Sequence, residues 1–386
     1  SLRATSNGTV IFTEDKTQKI LHLSTPPKIF TFSKGELQLD SQLAYQGNPR
    51  DAVALDVEGD GDMDFFISGN TFPGKFPIAD PCALLINENG RYIIKSFPEI
   101  GLVKSIEAGD IDNDGDLDLI LAREWNSIAL LLNNNGQFHE AGKSFGLETY
   151  KGLWHDAKLA DLDGNGTLDI IASNIGLNSS YELYPMPIKL LHGDTNADDI
   201  LELAEIFFDP LLNSWRPIRK LDVLSKTFPQ VRATYSRNQL FANSSAPRIL
   251  GSIISQMKSV EFNTRESGIF LNNGEEFKFI PLPTEAQLAP AFGICAQDFN
   301  GDNLIDVFLA QNYFGNPSRY SRYDSGRGLL LTGNGKGNFK PLKSKQSGIV
   351  IYGEQREPIA ADFNGDKKLD LVVSQRDAIT KLYLKR

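Results

Sequence analysis

Carboxylate and amide side chains recur in this chain at a spacing that suits a hard cation. In DIDNDGDLD the acids are Asp110, Asp112, Asp114 and Asp118, at positions 1, 3, 5 and 9 of a nine-residue loop. The same positions hold Asp56, Glu58, Asp60 and Asp64; Asp161, Asp163, Asn165 and Asp169; Asp298, Asn300, Asp302 and Asp306; and Asp362, Asn364, Asp366 and Asp370. A weaker copy carries Asp194, Asn196, Asp198 and Glu202. Calcium takes about six to eight oxygen ligands from carboxylates, amides, carbonyls and water. In a tight loop positions 1, 3 and 5 turn inward together, position 7 offers its carbonyl and position 9 closes the shell. The loops therefore predict Ca²⁺ at up to six sites. Position 6 needs a sharp turn, and Gly61, Gly115 and Gly166 supply it. Asp199 and Asn303 replace it mildly, because Asp and Asn tolerate left-handed backbone, whereas Lys367 is the poorest fit. An EF-hand is excluded: it needs an acid at position 12, where Ile67, Leu121, Ala172, Leu309 and Val373 stand here.

A second set of residues lies away from these loops. Arg123, Glu124 and Trp125 follow one apolar run, Asn174 follows another, and Tyr313, Arg319 and Tyr320 follow a third. Trp154, His155 and Arg356 stand in linkers. Aromatic rings beside Arg, Asn and Glu suit a glycan or a protein ligand, the ring stacking and the polar heads orienting. The plainer role for each is packing against the strands below. Only four His occur, and no G-x-S-x-G, His-Glu-x-x-His or phosphate-cradling Gly loop is present. The reading is a binding module rather than an enzyme. The alternative is a polysaccharide-active lyase or hydrolase using His155, Glu124 or Arg356.

The elements that must hold these residues are short strands. Each Asp loop sits between two apolar runs, and a second pair of runs follows around an Asn/Gly turn, as in IALLLNNNGQFHEA. Asn-Gly between apolar runs is a strong hairpin signal. Four-stranded antiparallel units repeated along a chain are propeller blades. The expected fold is all-β: a seven-bladed β-propeller in one domain spanning residues 1–386. Six blades carry loops, KILHLSTPPKIFTFSKGELQLDSQL supplies a seventh, and TVIFTE fills a strand missing from the last. A partly helical insertion is expected at about 209–262, within the blade starting near 188, between its second and third strands. The loops meet on one face; the ligand residues fall on the opposite one.

Bulk properties narrow the class. With 49 acidic against 39 basic residues the net charge is −10, which disfavours nucleic acid. No apolar run is long enough to span a membrane. Ser1 is not a start residue, which leaves room for a targeting segment ahead of it. Cys82 and Cys295 lie in apolar runs of different repeats and read as buried free thiols.

At the Asp loops and the strands that follow them the chain resembles the FG-GAP/VCBS repeat family, the calcium-loop propellers related to the integrin α-subunit head. FNGD, LLLNNNGQF and NIGLNS are closer to the bacterial VCBS-type proteins than to the integrin version. The resemblance implies a propeller, calcium, an extracellular or periplasmic location, and membership of a larger multi-domain protein. It implies no particular ligand.

Overall fold

The structure is a computed structural model that describes residues 9–14, 17–33, 36–316 and 322–385. Antiparallel sheets follow one another along the chain. The first holds β1 (Thr9–Glu14), β2 (Thr17–His22), β3 (Lys28–Ser33) and β4 (Glu36–Gln42). The second holds β5 (Pro49–Leu55), β6 (Asp64–Gly69), β7 (Cys82–Glu88) and β8 (Arg91–Phe97). The third holds β9 (Val103–Gly109), β10 (Asp118–Asn126), β11 (Ala129–Asn134) and β12 (Gln137–Glu140), with β13 (Gly152–Leu153) paired to the far end of β10.

The fourth sheet is interrupted. It begins with β14 (Asp156–Ala160) and β15 (Asp169–Ser173). The chain then leaves to build a separate sheet from β16 (Ile188–Gly193), β17 (Glu202–Asp209), β18 (Ser214–Pro217) and β19 (Lys258–Phe262), in the order β18-β17-β16-β19. It returns through β20 (Gly268–Asn272) and β21 (Phe277–Pro281), and β20 pairs directly with β15 (Ile170↔Phe270, Ala172↔Gly268). The fifth sheet is β22 (Ala291–Gln297), β23 (Asp306–Gln311), β24 (Leu329–Gly333) and β25 (Phe339–Pro341). The sixth has three strands, β26 (Glu354–Ala361), β27 (Asp370–Arg376) and β28 (Lys381–Tyr383).

Alternate residues of a strand point to opposite faces, and here both faces are buried. Ala52, Ala54, Phe65, Ile67, Ala83 and Leu85 face the first sheet. Their neighbours Val53, Leu55, Phe66, Leu84 and Ile86 face the third. Further cores join the third sheet to the fourth, the fourth to the fifth and the fifth to the sixth. That is why the strands read as continuous apolar runs rather than as alternation. Side chains at the starts of the first strands tie neighbouring sheets: Asp51 accepts from Ile106 N at 2.9 Å and Asp156 from Ile294 N at 2.8 Å.

Three expectations are corrected. The sheet opening near 188 is not a consecutive blade; it is inserted into the fourth sheet, and the irregular spacing around Asp194 reflects that excursion. TVIFTE forms β1 and pairs with β2 rather than completing the last sheet. The helices of the insertion, α1 (Leu221–Thr227), α2 (Pro229–Thr234), α3 (Asn238–Ala242) and α4 (Ala246–Leu250), lie between the third and fourth strands of the inserted sheet. They pack Leu224, Phe228, Val231 and Ile249 onto Leu191, Ala204 and Ile206. Six sheets thus succeed one another, and among the described residues no apolar core joins the sixth to the first. Cys82 and Cys295 are free and buried, and burial pushes both thiols up to about 11.

Candidate functional site

Each Asp loop connects the first strand of a sheet to the second. Its first Asp accepts backbone N–H groups from positions 5 and 6, as Asp110 does from Asp114 N and Gly115 N, each at 3.1 Å. Position 6 is left-handed in every loop, including Asp199 (φ 68°), Asn303 (φ 65°) and Lys367 (φ 64°). Position 4 is left-handed too, at Gly59, Asn113, Gly164, Ala197, Gly301 and Gly365.

The acid at position 9 does more than close a shell. Asp118 is fully buried; one oxygen accepts Ile111 N at 2.8 Å and the other accepts Asn133 N, on β11, at 2.8 Å. Asp64 holds Val57 N and Asn87 N in the same way, and Asp169 holds Leu162 N and Asn272 N. One side chain therefore ties loop, second strand and third strand together. Burial raises Asp64, Asp118 and Asp169 to about 6, against the pull of those N–H groups.

Two loops bring three carboxylates into the span of one ion. Asp110, Asp112 and Asp118, and likewise Asp161, Asp163 and Asp169, place ligand oxygens within 4.8 Å of one another. In two of the other loops Asn stands at position 3 and donates to the acid at position 5, Asn196 to Asp198 at 3.0 Å and Asn300 to Asp302 at 2.9 Å. Asn165 turns its amide nitrogen to Asn272 O at 3.0 Å. The expected ligand set is thus gathered most fully in the second and third loops.

At the opposite ends of the sheets lies a cavity of about 340 Å³ lined by Lys104, Glu124, Trp125, His155, Phe292 and Tyr313, among others. Glu124 Oε1 is 3.1 Å from Lys104 Nζ and 3.6 Å from His155 Nδ1. Burial pushes Glu124 up, but the Lys104 ammonium and His155 outweigh it and hold this carboxyl below the usual range. Burial lowers both Lys104 and His155, opposed in each by the neighbouring Glu124 carboxylate. His155 stacks on Phe292 at 4.4 Å between centroids, and Arg356 covers the same ring at 4.7 Å. Trp125 sits at φ 60°, a conformation that costs a bulky residue about 1–2 kcal/mol. Such strain is commonest at functional positions. Tyr181 and Glu205, from the excursion between β15 and β20, close one side.

A model of the FG-GAP-like repeat matches this chain at residues 85–172 and 298–373. The chain carries FG-GAP-like repeats. No curated protein sequence matches it. Among solved structures it is similar to the V. cholerae biofilm matrix protein Bap1, at 12% identity over 96% of this chain and 74% of that one, with a TM-score of 0.40. It is also similar to BBS1N in complex with ARL6DN, at 9% identity over 100% of this chain and 94% of that one, again with a TM-score of 0.40. Likeness this loose assigns no function. The matched segments of the FG-GAP-like repeats contain the second, third, fifth and sixth Asp loops.

Against this frame the expected ligand residues divide. Glu124, Trp125, His155 and Tyr313 share the cavity, and Arg356 reaches its edge over Phe292. Arg123 does not: its guanidinium donates to Ser127 O at 2.7 Å and Ile100 O at 3.0 Å and is buried. Trp154 is a core residue against Phe270 and Phe279, its indole N–H donating to Tyr150 O. Asn174 is fully buried and splints the loop by bonding Leu153 N, Ile175 N and Thr264 O. Arg319 and Tyr320 lie outside the described residues. In short apolar segments, sequence alone does not separate a ring that packs from a ring that lines a cavity.

Sequence reasoning missed Lys104 and Phe292, yet the register offers a signal. Arg50, Lys104, His155, Phe292 and Arg356 each stand six residues before the first Asp of their loop. Four of these fall where pairing with the second strand shifts register, between Pro49 and Asp51, around Lys104, between Ala291 and Gly293, and between Gln355 and Pro358. A bulge re-aims the side chain it carries. One offset, counted back from each loop, therefore supplies three of the cavity's lining residues, Lys104, His155 and Phe292, from three different sheets.

Proposed function

We propose that this chain is a calcium-stabilised, propeller-like binding module of extracellular or periplasmic location, which takes a glycan or protein ligand in the cavity opposite its Asp loops. The observation that carries the reading is the cavity itself: Trp125, Phe292 and Tyr313 offer ring surface while Glu124 and His155 offer fixed polar atoms. Few, well-placed polar groups among aromatic rings are the usual make-up of a ligand pocket. Calcium fits the two carboxylate triads, Asp110/Asp112/Asp118 and Asp161/Asp163/Asp169, whose hard oxygen donors suit that ion. The same loops are built by strands of the shared cores, which favours a structural role for the metal. Among the described residues no helix is long and apolar enough to cross a membrane. Membership of a larger multi-domain protein and the absence of nucleic-acid binding belong to the same reading.

The test has two arms. A glycan array and a pull-down on calcium-loaded protein, run beside Tyr313→Ala, identify the ligand and its site. Chelation by EDTA lowers the melting temperature and excess Ca²⁺ restores it by mass action. An unchanged melt with chelator removes the calcium half of the proposal; equal capture by wild type and Tyr313→Ala removes the cavity half. The alternative, a polysaccharide-active enzyme, is favoured by one observation: His155 and Glu124, 3.6 Å apart, line the same cavity as Tyr313. New reducing or unsaturated ends on a polysaccharide substrate decide for it.

A further inference from the structure

The segment between β17 and β19 differs in charge from the rest of the chain. Residues 210–260 hold eight basic residues and one acid, Asp222, in a protein with 49 acidic and 39 basic residues overall. Two of the eight are spent inside the inserted unit, Arg216 on Asp209 at 2.6 Å and Arg219 on Glu205 at 2.7 Å. The other six, Lys220, Lys226, Arg232, Arg237, Arg248 and Lys258, are exposed, and none forms an ion pair among the described residues. Packing explains their exposure: Leu221, Leu224, Phe228, Val231, Phe241 and Ile249 turn inward onto the inserted sheet, which leaves the charged side chains of the helical layer facing solvent.

Apolar side chains accompany them. Leu211 is 93% exposed and Leu212 47%, both at the turn between β17 and β18, and Leu240 on α3 is 57% exposed. The turn is firmly held: the Asp209 carboxylate accepts Leu211 N at 2.9 Å and Leu212 N at 3.3 Å and pairs with Arg216. Arg216 also donates to Ala242 O at the end of α3, and α4 packs against β18. Turn, α3 and α4 are therefore neighbours. That gathers the three leucines into one region with Arg237, at the start of α3, and Arg248, on α4.

We infer that the insertion docks peripherally on an anionic lipid surface, with Leu211, Leu212 and Leu240 entering the acyl boundary and Arg237, Arg248 and the neighbouring cations meeting headgroup phosphates. Apolar side chains beside Lys and Arg are the make-up of a surface that lies on a bilayer: the first gain by leaving water and the second by meeting anionic headgroups. A soluble polyanion, such as an acidic glycan or a nucleic acid, would answer the charge and leave the leucines in water. The acidity of the rest of the chain orients the approach, because an anionic surface repels it and attracts the insertion. This contact is separate from the cavity and does not depend on what the cavity binds.

The experiment is co-sedimentation of the whole calcium-loaded chain with vesicles of phosphatidylcholine alone and of phosphatidylcholine and phosphatidylglycerol in equal parts. Binding to the anionic vesicles is at least about tenfold tighter than to the neutral ones and weakens as salt is added. Arg237→Gln/Arg248→Gln and Leu211→Ser/Leu212→Ser each lose about tenfold on the anionic vesicles. All four positions are exposed, so both variants melt close to wild type. Absence of binding to either vesicle overturns the inference. So does wild-type binding by the arginine variant, which assigns the contact to calcium bridging at the Asp loops. Dextran sulfate captured equally by wild type and the leucine variant, with vesicles left unbound, assigns the patch to a soluble polyanion instead. A dimer that the arginine variant dissociates, again without vesicle binding, assigns it to a second copy.

Discussion

Replacing Asp118 with Ala separates the two tasks that the loop acid performs. In the folded chain Asp118 is fully buried and satisfies two backbone N–H groups, Ile111 and Asn133, both at 2.8 Å. Removing the carboxylate strands both donors in the core, at about 1–3 kcal/mol each. The expected loss is about 2–6 kcal/mol, and it is present with or without metal. Asp112, at position 3 of the same loop, is exposed, and its carboxylate belongs to the triad that can hold an ion. Asp112→Ala therefore costs less than about 0.5 kcal/mol in EDTA, the range of an ordinary surface change. In excess Ca²⁺ it costs more, because the bound-state stabilisation is lost. The assay is urea denaturation of wild type, Asp118→Ala and Asp112→Ala, each in EDTA and in Ca²⁺, compared through midpoints at constant slope. Two results refute the reasoning. One is equal losses for the two variants in EDTA. The other is a wild-type midpoint for Asp118→Ala, which denies the acid its role as a tie between strands.

Further predictions follow from the same geometry. Asp64, Asp118 and Asp169 have folded values of about 6, above the usual carboxylate value near 3.9, so without metal their contribution to stability falls as pH rises from about 4 to about 6. A metal competing with those protons relieves the penalty, and the melting shift produced by Ca²⁺ is larger at about pH 7.5 than at about pH 5; equal shifts contradict this. Lys367 holds φ 64°, so Lys367→Gly raises stability by about 1 kcal/mol, read as a higher urea midpoint. Trp154→Ala costs about 3–5 kcal/mol as a core truncation, whereas Tyr313→Ala, at a cavity wall, weakens ligand capture with a melt close to wild type. Reversal of that pair of outcomes exchanges their roles.

Local order was legible because it is made locally. An Asx-type loop is closed by bonds spanning a few residues, such as Asp56 to Gly59 N, Asp60 N and Gly61 N, so residue type and spacing announce it. The strands on either side are announced by apolar runs, since both faces of each sheet meet a neighbour. Even Lys367, the poorest fit by residue type, adopts the turn, because the loop around it leaves no other path.

Three decisions belonged to the tertiary structure. The insertion of β16–β19 into the fourth sheet depends on β15 pairing with β20 across 94 intervening residues, Asn174 to Ser267, a partnership that no local pattern encodes. Trp154 and Trp125 are both tryptophans near strand ends, yet packing sends one to the core and the other to the cavity wall. The cavity draws Lys104, His155 and Phe292, each six residues before its loop, from three separate sheets. The chain by itself determined where the Asp loops and their strands lie, because those are closed by near neighbours. Which side chains share the cavity with Glu124 was decided only when distant strands packed, since burial and bulge geometry, not residue type, brought Lys104, His155 and Phe292 to it.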